Sequence, residues 1–462
     1  MRNQACHARE RCARPGFVRW AQAIVATSAM LAGVGGAVAQ TASDLPAPLE
    51  IGPVELHGQA TYIRQFKPAF SADYTGPKSL SPEKANSYSF TATLFAGAKL
   101  TDGLEFYFNP EAAQGVPFSQ LQGVAAFTNA ELARTSGPTL KAYVARAFFR
   151  QTWNLGGELE REPSAQNQVA TSYSAERIVL TAGLISVLDI FNVVDYSRDP
   201  RTQFINWSSL TYGAWDFPAD ARGYTGGLAL EYISPRFSVR AGWFAGPKES
   251  NGLSLSYSLG KFYGSVVEFE APLELLERPG SVQLLLFNNR ANMGNFDDAI
   301  ALGRATGSVP DLTLVRRPQT KWGFGVTLQQ ELADNLGGYL RAGWNNGKTE
   351  TYMFTEIDRS IAVGVLANGR QWGRERDSAG LAVYWNMLGG SHRTYLALGG
   401  EGFFLGDGRL NYAPEKTLET FYAFNVFSRF WISANYQFQS NPGYNRDRGP
   451  VNYIGFRLHA DF

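Results

Sequence analysis

The sequence predicts an all-β fold: a transmembrane antiparallel β-barrel of sixteen strands, with long extracellular loops and one loop folded into the lumen. Three observations predict it. The chain opens on an export leader. From residue 54 onward, segments of about ten residues alternate apolar and polar side chains. The last segment closes on an aromatic C-terminus, Phe462.

Arg2, Arg9, Arg11, Arg14 and Arg19 precede an apolar run over 20–38 that ends in Ala37-Val38-Ala39. That order of charge, apolar run and small residues is a secretory signal peptide, residues 1–39, cut before Gln40. No Arg-Arg pair occurs, so export as an unfolded chain is expected. A Pro/Ala-rich periplasmic linker over 40–53 leads into the barrel domain, 54–462.

Cleavage removes five of the 42 basic residues and one of the 41 acidic ones, so the mature chain carries a net charge of −3. This near balance excludes a basic nucleic-acid binder. A hydrophobic share of 44% excludes a disordered chain. No stretch beyond the leader approaches ~18 consecutive apolar residues, which excludes a helical membrane bundle. Cys6 and Cys12 leave with the leader, so no disulfide, thiolate nucleophile or Cys-ligated metal remains. The remaining His57, His392 and His459 lie far apart, and neither metal nor cofactor is expected.

The alternation places strands at 54–65, 87–100, 104–110, 140–153, 177–184, 222–233, 237–245 and 259–271. It continues at 281–290, 321–330, 337–346, 358–367, 378–386, 417–427, 430–439 and 451–462. Hydrocarbon leaves no partner for an open sheet edge, so these strands must close on themselves. Segment 394–404 has strand-like residues too, but Gly399, Gly400 and Gly402 weaken it, and bacterial barrels have even strand numbers. Connections 101–103, 234–236 and 428–429 are tight; 66–86, 111–139, 185–221, 291–320 and 387–416 are long. Short turns face the periplasm and long loops the exterior, so the first strand runs outward. The connection 154–176 is too long for a periplasmic turn. Such a barrel lies in the outer membrane of a Gram-negative bacterium. The alternation ending at Phe462 resembles the address that barrel-assembly machinery reads.

Several motifs carry a resemblance to a known family: Asn109-Pro110-Glu111 with Gln114-Gly115, Phe149-Arg150-Gln151-Thr152, and Asp189-Ile190-Phe191. Others are the run Asp199-Pro200-Arg201-Thr202-Gln203-Phe204-Ile205-Asn206-Trp207, then Pro218 to Tyr224, Phe296 to Ile300, Tyr444 to Pro450 and Arg457-Leu458-His459. In this order they resemble the carbohydrate-selective outer-membrane porins. The resemblance implies a sixteen-stranded barrel that passes sugars such as glucose by diffusion, with sugars and outer-membrane lipids as its partners and no nucleic acid. Monomer and homotrimer both stay open.

A sugar pore needs hydroxyl partners and flat apolar faces. The segment 185–221 carries Asp189, Asn192, Asp195, Arg198, Asp199, Arg201, Asn206, Trp207, Trp215 and Asp216. Both charge signs with tryptophan suit a constriction inside the barrel. Trp207 serves either as a sugar-stacking face or as a buried anchor. Glu111 and Gln114 open a second long loop. In strand 140–153, parity sends Tyr143, Ala145, Ala147 and Phe149 to lipid and turns Arg146 and Arg150 inward. The same rule makes Arg240, Glu268, Glu270, Arg341, Trp431 and Arg457 lumenal.

No catalytic signature stands out: Gly-x-Ser-x-Gly, His-Glu-x-x-His and a phosphate-binding glycine loop are absent from the sequence. Asp297-Asp298 are adjacent acids that point apart in an extended chain. The expectation is a non-enzymatic porin for neutral sugars. The alternatives are a general ion-conducting porin, marked by a single-sign constriction, and an outer-membrane enzyme or adhesin on a barrel scaffold.

Overall fold

The computed structural model describes residues 49–51 and 54–462. The expected leader lies outside the described residues. The short strand Leu49–Ile51 falls within the expected linker and pairs with Val54–Leu56.

Sixteen long strands close into one antiparallel barrel. They are β1 (Val54–Lys67), β2 (Ala85–Thr101), β3 (Leu104–Val116), β4 (Lys141–Glu162), β5 (Thr171–Ile185), β6 (Thr225–Ile233), β7 (Ser238–Phe244) and β8 (Tyr263–Leu275). The ring continues with β9 (Arg278–Met293), β10 (Arg317–Ala333), β11 (Leu336–Asn345), β12 (Arg359–Asn368), β13 (Ser378–Met387), β14 (Glu415–Phe427), β15 (Phe430–Ser440) and β16 (Val451–Asp461). Each pairs with the next, and β16 returns to β1 with Leu458 opposite Tyr62. Closure leaves no edge unpaired, which is what a span through hydrocarbon requires.

Period-two sequence becomes two faces. Leu94, Phe149, Leu228, Phe269, Leu286, Leu340, Leu381 and Phe456 point outward and stand 41–52% exposed. An apolar band of that extent suits lipid rather than water. Inward positions are polar: Gln59, Thr61 and Gln65 on β1, Ser433, Asn435 and Gln437 on β15.

All sixteen expected strands are present. The rejected segment 394–404 holds the end of helix α2 (Gly390–Ala397), which follows helix α1 (Phe296–Thr306) in the chain. Asn295 caps α1 by accepting from Asp297 N and Asp298 N. The two acids diverge, Asp297 to Lys348 at 3.0 Å and Asp298 to Arg317 at 2.6 Å.

Two expectations need correction. Strands β4 and β5 run well past the barrel wall, so the long 154–176 connection shrinks to 163–170. Its tip turns back against inward residues of the neighbouring wall: Ser164 bonds the Glu55 carboxylate and lies 2.8 Å from His57 Nε2, and Val169 N donates to Tyr107 OH at 3.2 Å. The second correction is a bulge. Asn109 pairs with Arg146 but Pro110 pairs with Val144, leaving Ala145 as an extra residue on β4. Pro110 offers no N–H to the ladder, which is where bulges occur. One extra residue inverts parity. Phe149 therefore faces out as expected, while Tyr143 and Ala145 face in: Ala145 is fully buried and Tyr143 donates to Glu111 at 2.6 Å. Gln114, on β3 opposite the outward Phe90, faces away from the lumen.

The turns at 102–103, 234–237, 276–277, 334–335 and 428–429 all lie at one end, and the loops 68–84, 117–140, 186–224, 294–316 and 388–414 at the other. The short-turn end is the periplasmic one by the general rule for such barrels. Single-cysteine variants test this cleanly, because the described residues hold no cysteine. On intact cells a membrane-impermeant maleimide should label Ser308→Cys in the exposed 294–316 loop and leave Arg236→Cys unlabelled. Reversed labelling would invert the orientation.

Candidate functional site

The loop 186–224 folds inside the barrel and circles its wall. It starts at β4, where Arg146 forks onto Asp189 at 2.6 and 2.7 Å. It then crosses β8 to β10: Asn192 N donates to Glu268 at 2.7 Å, and the Asn192 amide reaches Gln283 and Thr327. At β11, Arg341 donates to the carbonyls of Ser197 and Ser209, both at 2.9 Å. Arg457 on β16 holds the carbonyls of Pro200 at 3.0 Å and Thr202 at 2.8 Å. The return path docks Ile205 N on Glu419 at 2.7 Å, the Asn206 amide on Gln437 at 2.9 Å, and Asp216 on Lys321 at 3.2 Å. A loop placed in a polar lumen must satisfy its backbone groups from the wall, and these inward side chains do so.

Arg201 is the central latch. Its Nη2 meets Glu111 at 2.8 Å, its Nε meets Glu131 at 2.8 Å, and its Nη1 donates to Thr93 at 3.0 Å. Burial alone would lower the guanidinium, but the two carboxylates more than reverse this and hold it above its ordinary value. Burial likewise pushes Glu131 up, yet Arg201 and Arg134 bring it below the usual carboxylate range. Asp199 is also held low, the rise from burial being outweighed by the Arg201 N–H at 2.9 Å and the Arg201 charge. For Asp216 burial wins over Lys321 and the carboxyl stays raised.

Between this loop and the 117–140 loop lies a small opening, lined by Ala130, Arg134, Ser186, Leu188, Pro200, Trp207, Leu210, Phe217, Arg222 and Phe354. Trp207, Phe217 and Phe354 form one aromatic slab, with ring centroids 4.3 to 6.0 Å apart. Arg134 bonds Glu131 at 2.9 Å and the Tyr224 hydroxyl, and Arg222 lies 4.1 Å over the Tyr143 ring. Below the opening, paired charges continue down the wall. Arg150 stands 3.7 Å from Glu105, and Arg240 meets Glu231, Glu268 and Glu270 at 3.1, 3.0 and 2.7 Å. Asp189, Arg150 and Glu270 keep 36%, 21% and 21% of their side chains open. On the far half, Lys321, Arg341, Glu419 and Arg457 are shut, at 0–2%. The loop therefore packs against β10–β16, and the less filled side runs along β4–β8.

A model of carbohydrate-selective porins, the OprB family, matches residues 78–462. The chain belongs to that family. A high-pH structure of Pseudomonas putida OprB is similar in fold, with a TM-score of 0.68 at 16% identity, covering 89% of this chain and 94% of that one. The outer membrane channel DcaP of Acinetobacter baumannii is more distant, with a TM-score of 0.51 at 10% identity over 88% and 97% of the two chains. A search of curated proteins gives no match. The protein is thus a sugar-selective porin of the Gram-negative outer membrane, and its family consists of channels rather than enzymes.

Within this porin, the residues singled out by sequence divide into three groups. Asn192, Arg201, Asn206 and Trp207 are buried, at 5% exposure or less, and they fasten the loop. Glu111, Glu268, Arg341 and Arg457 are their buried partners on the wall. Asp189 stays open beside Arg146, with Arg150, Arg240 and Glu270 further down. Asp195 and Arg198 are exposed on the side nearest the short turns, where Tyr196 abuts Gly337. Trp431 lies there too, its Nε1 donating to Arg376 O at 3.0 Å. Sequence reasoning passed over Glu131, Arg134, Tyr143, Phe217, Tyr224 and Phe354. Tyr224 and Arg222 stood in a motif read as a family mark. Glu131 and Arg134 lie one helical turn apart in a 3₁₀ segment, outside any strand alternation.

Proposed function

We propose that this porin admits neutral, monosaccharide-sized sugars through the opening between loops 117–140 and 186–224 and down the β4–β8 wall. The observation that carries the reading is the paired charge along that path: Arg134 with Glu131, Arg146 with Asp189, Arg150 with Glu105, and Arg240 with Glu268 and Glu270. Charged groups make strong hydrogen bonds to sugar hydroxyls. Paired signs leave little net field for ions to follow. That pairing also speaks against the general ion-conducting alternative, which would carry one unpaired sign.

Asp189 is the acceptor most open to a passing hydroxyl. In Asp189→Asn, Arg146 loses its carboxylate, so ion preference should shift toward anions. Sugar block of the current should weaken by about tenfold or more, the scale of one charge-assisted hydrogen bond. Bilayer reversal potentials and sugar titrations measure both. Unchanged selectivity and block, with the barrel assembled, would move the sugar path away from Asp189.

A further inference from the structure

The outward wall carries few charges, and those near the long-loop end share one sign. Arg64 sits near the end of β1, Arg290 near the end of β9, Arg359 opens β12, and Lys416 stands second in β14. Their chain neighbours Ile63, Gln65, Asn289, Ser360, Glu415 and Thr417 are buried inside, so these four point out. All four are exposed. None has a hydrogen-bond or ion-pair partner among the described residues, whereas the inward arginines are paired. No Asp or Glu occupies an outward strand position in the same half of the wall among the described residues.

Each cation also has an aromatic residue beside it in the ladder. Arg64 lies opposite Tyr88 and Phe456, Arg290 opposite Tyr263, Arg359 opposite Trp344, and Lys416 opposite Trp385. Outward tryptophan and tyrosine settle at headgroup depth. A cation at the hydrocarbon midplane of a barrel costs about 2–4 kcal/mol, falling toward zero at the interface, so these side chains belong at that same depth. They fall at intervals of three, two and three strands from β9 round to β1, spacings of about 10 to 14 Å along one side of the wall.

We infer that this arc binds the phosphate groups of anionic lipids in the leaflet on the long-loop side. Phosphate supplies the charge-assisted acceptors that Arg and Lys lack within the protein. The aromatic neighbours fix the depth at which they meet. The lipid ring around the barrel is then uneven: anionic lipid gathers on the β9–β1 side.

The test reconstitutes the full porin in vesicles of phosphatidylcholine and phosphatidylglycerol, releases it gently, and counts bound lipids by native mass spectrometry. Wild type should retain the anionic lipid in preference, by about fivefold per occupied cation. Arg64→Gln/Arg290→Gln/Arg359→Gln/Lys416→Gln should retain both lipids alike. The three Arg→Lys replacements should keep the preference. Should the fourfold variant fail to assemble, the four single variants should each lose part of the preference. No preference in wild type, or full preference in the glutamine variants, would overturn the inference. So would displacement of the retained lipid by inorganic phosphate alone, which would mark a site for soluble anions.

Discussion

Arg201→Ala should free the 186–224 loop from the wall and turn a narrow, sugar-sensitive channel into a wider, less selective one. The substitution leaves Glu111 and Glu131, both at 2% exposure or less, without their shared cation. Breaking a buried pair in this way costs about 3–5 kcal/mol, because the uncompensated charges stay behind. The loop has other anchors at Arg341, Arg457 and Glu419, so the barrel should still assemble while the loop shifts. Single-channel current should rise and its block by sugar should fall. Glu111→Gln in the same background should restore part of the closed state by removing the carboxylate left without a cation, since Glu131 keeps Arg134. The latch also has a pH sign. Glu131 titrates below its ordinary value when the loop is docked, so its contribution is full above the ordinary carboxylate value of ~4.3 and is lost as pH falls through the lower docked value. Wild-type current should therefore grow in strong acid and stay flat through neutral pH. An Arg201→Ala channel with wild-type conductance and sugar block would remove Arg201 from this role.

Trp207→Ala should have an effect of similar size for a different reason. Trp207 is 3% exposed, with Phe354 at 4.7 Å, Phe127 at 5.2 Å and Phe217 at 6.0 Å between ring centroids. Its removal leaves a cavity beneath the opening, and aromatic-to-alanine changes in packed sites cost about 3–5 kcal/mol. That exceeds the roughly 1 kcal/mol expected if only a stacked sugar face were lost. Thermal unfolding of the folded variant separates the two cases. A drop in stability together with noisy, enlarged current fits the anchor role. Weakened sugar block with unchanged stability fits a stacking face and would contradict the packing described here.

How far the sequence could be read depended on which physical signal each part carried. Strands β1 to β16 were legible because lipid on one side and a polar lumen on the other impose a strict period of two. The bulge at Ala145 escaped that logic. A single extra residue inverts every assignment beyond it, and Tyr143 changed sides as a result. Pro110, within what is a continuing strand, was the available clue. The β4–β5 extension was read as loop because residues such as Glu158, Glu160 and Glu162 show no apolar face, which strands lose once they leave the membrane. Within the 186–224 loop, composition identified the segment but not the fate of each residue. A tryptophan that meets sugar and one that anchors a loop are the same residue type, and only the contacts from Phe127, Phe217 and Phe354 distinguish them. The Arg201 latch draws Thr93, Glu111 and Glu131 from three separate elements, a juxtaposition no local pattern encodes.

The central claim is that a wall-anchored loop narrows this barrel into a pore selective for sugar, and single-channel recording with added sugar tests it most directly. Purified protein in a planar bilayer should give a small conductance with little preference between anions and cations. Adding a neutral monosaccharide should reduce the current in a saturating way, while a charged solute of similar size should have a weaker effect. A large, ohmic conductance that no sugar alters would contradict it.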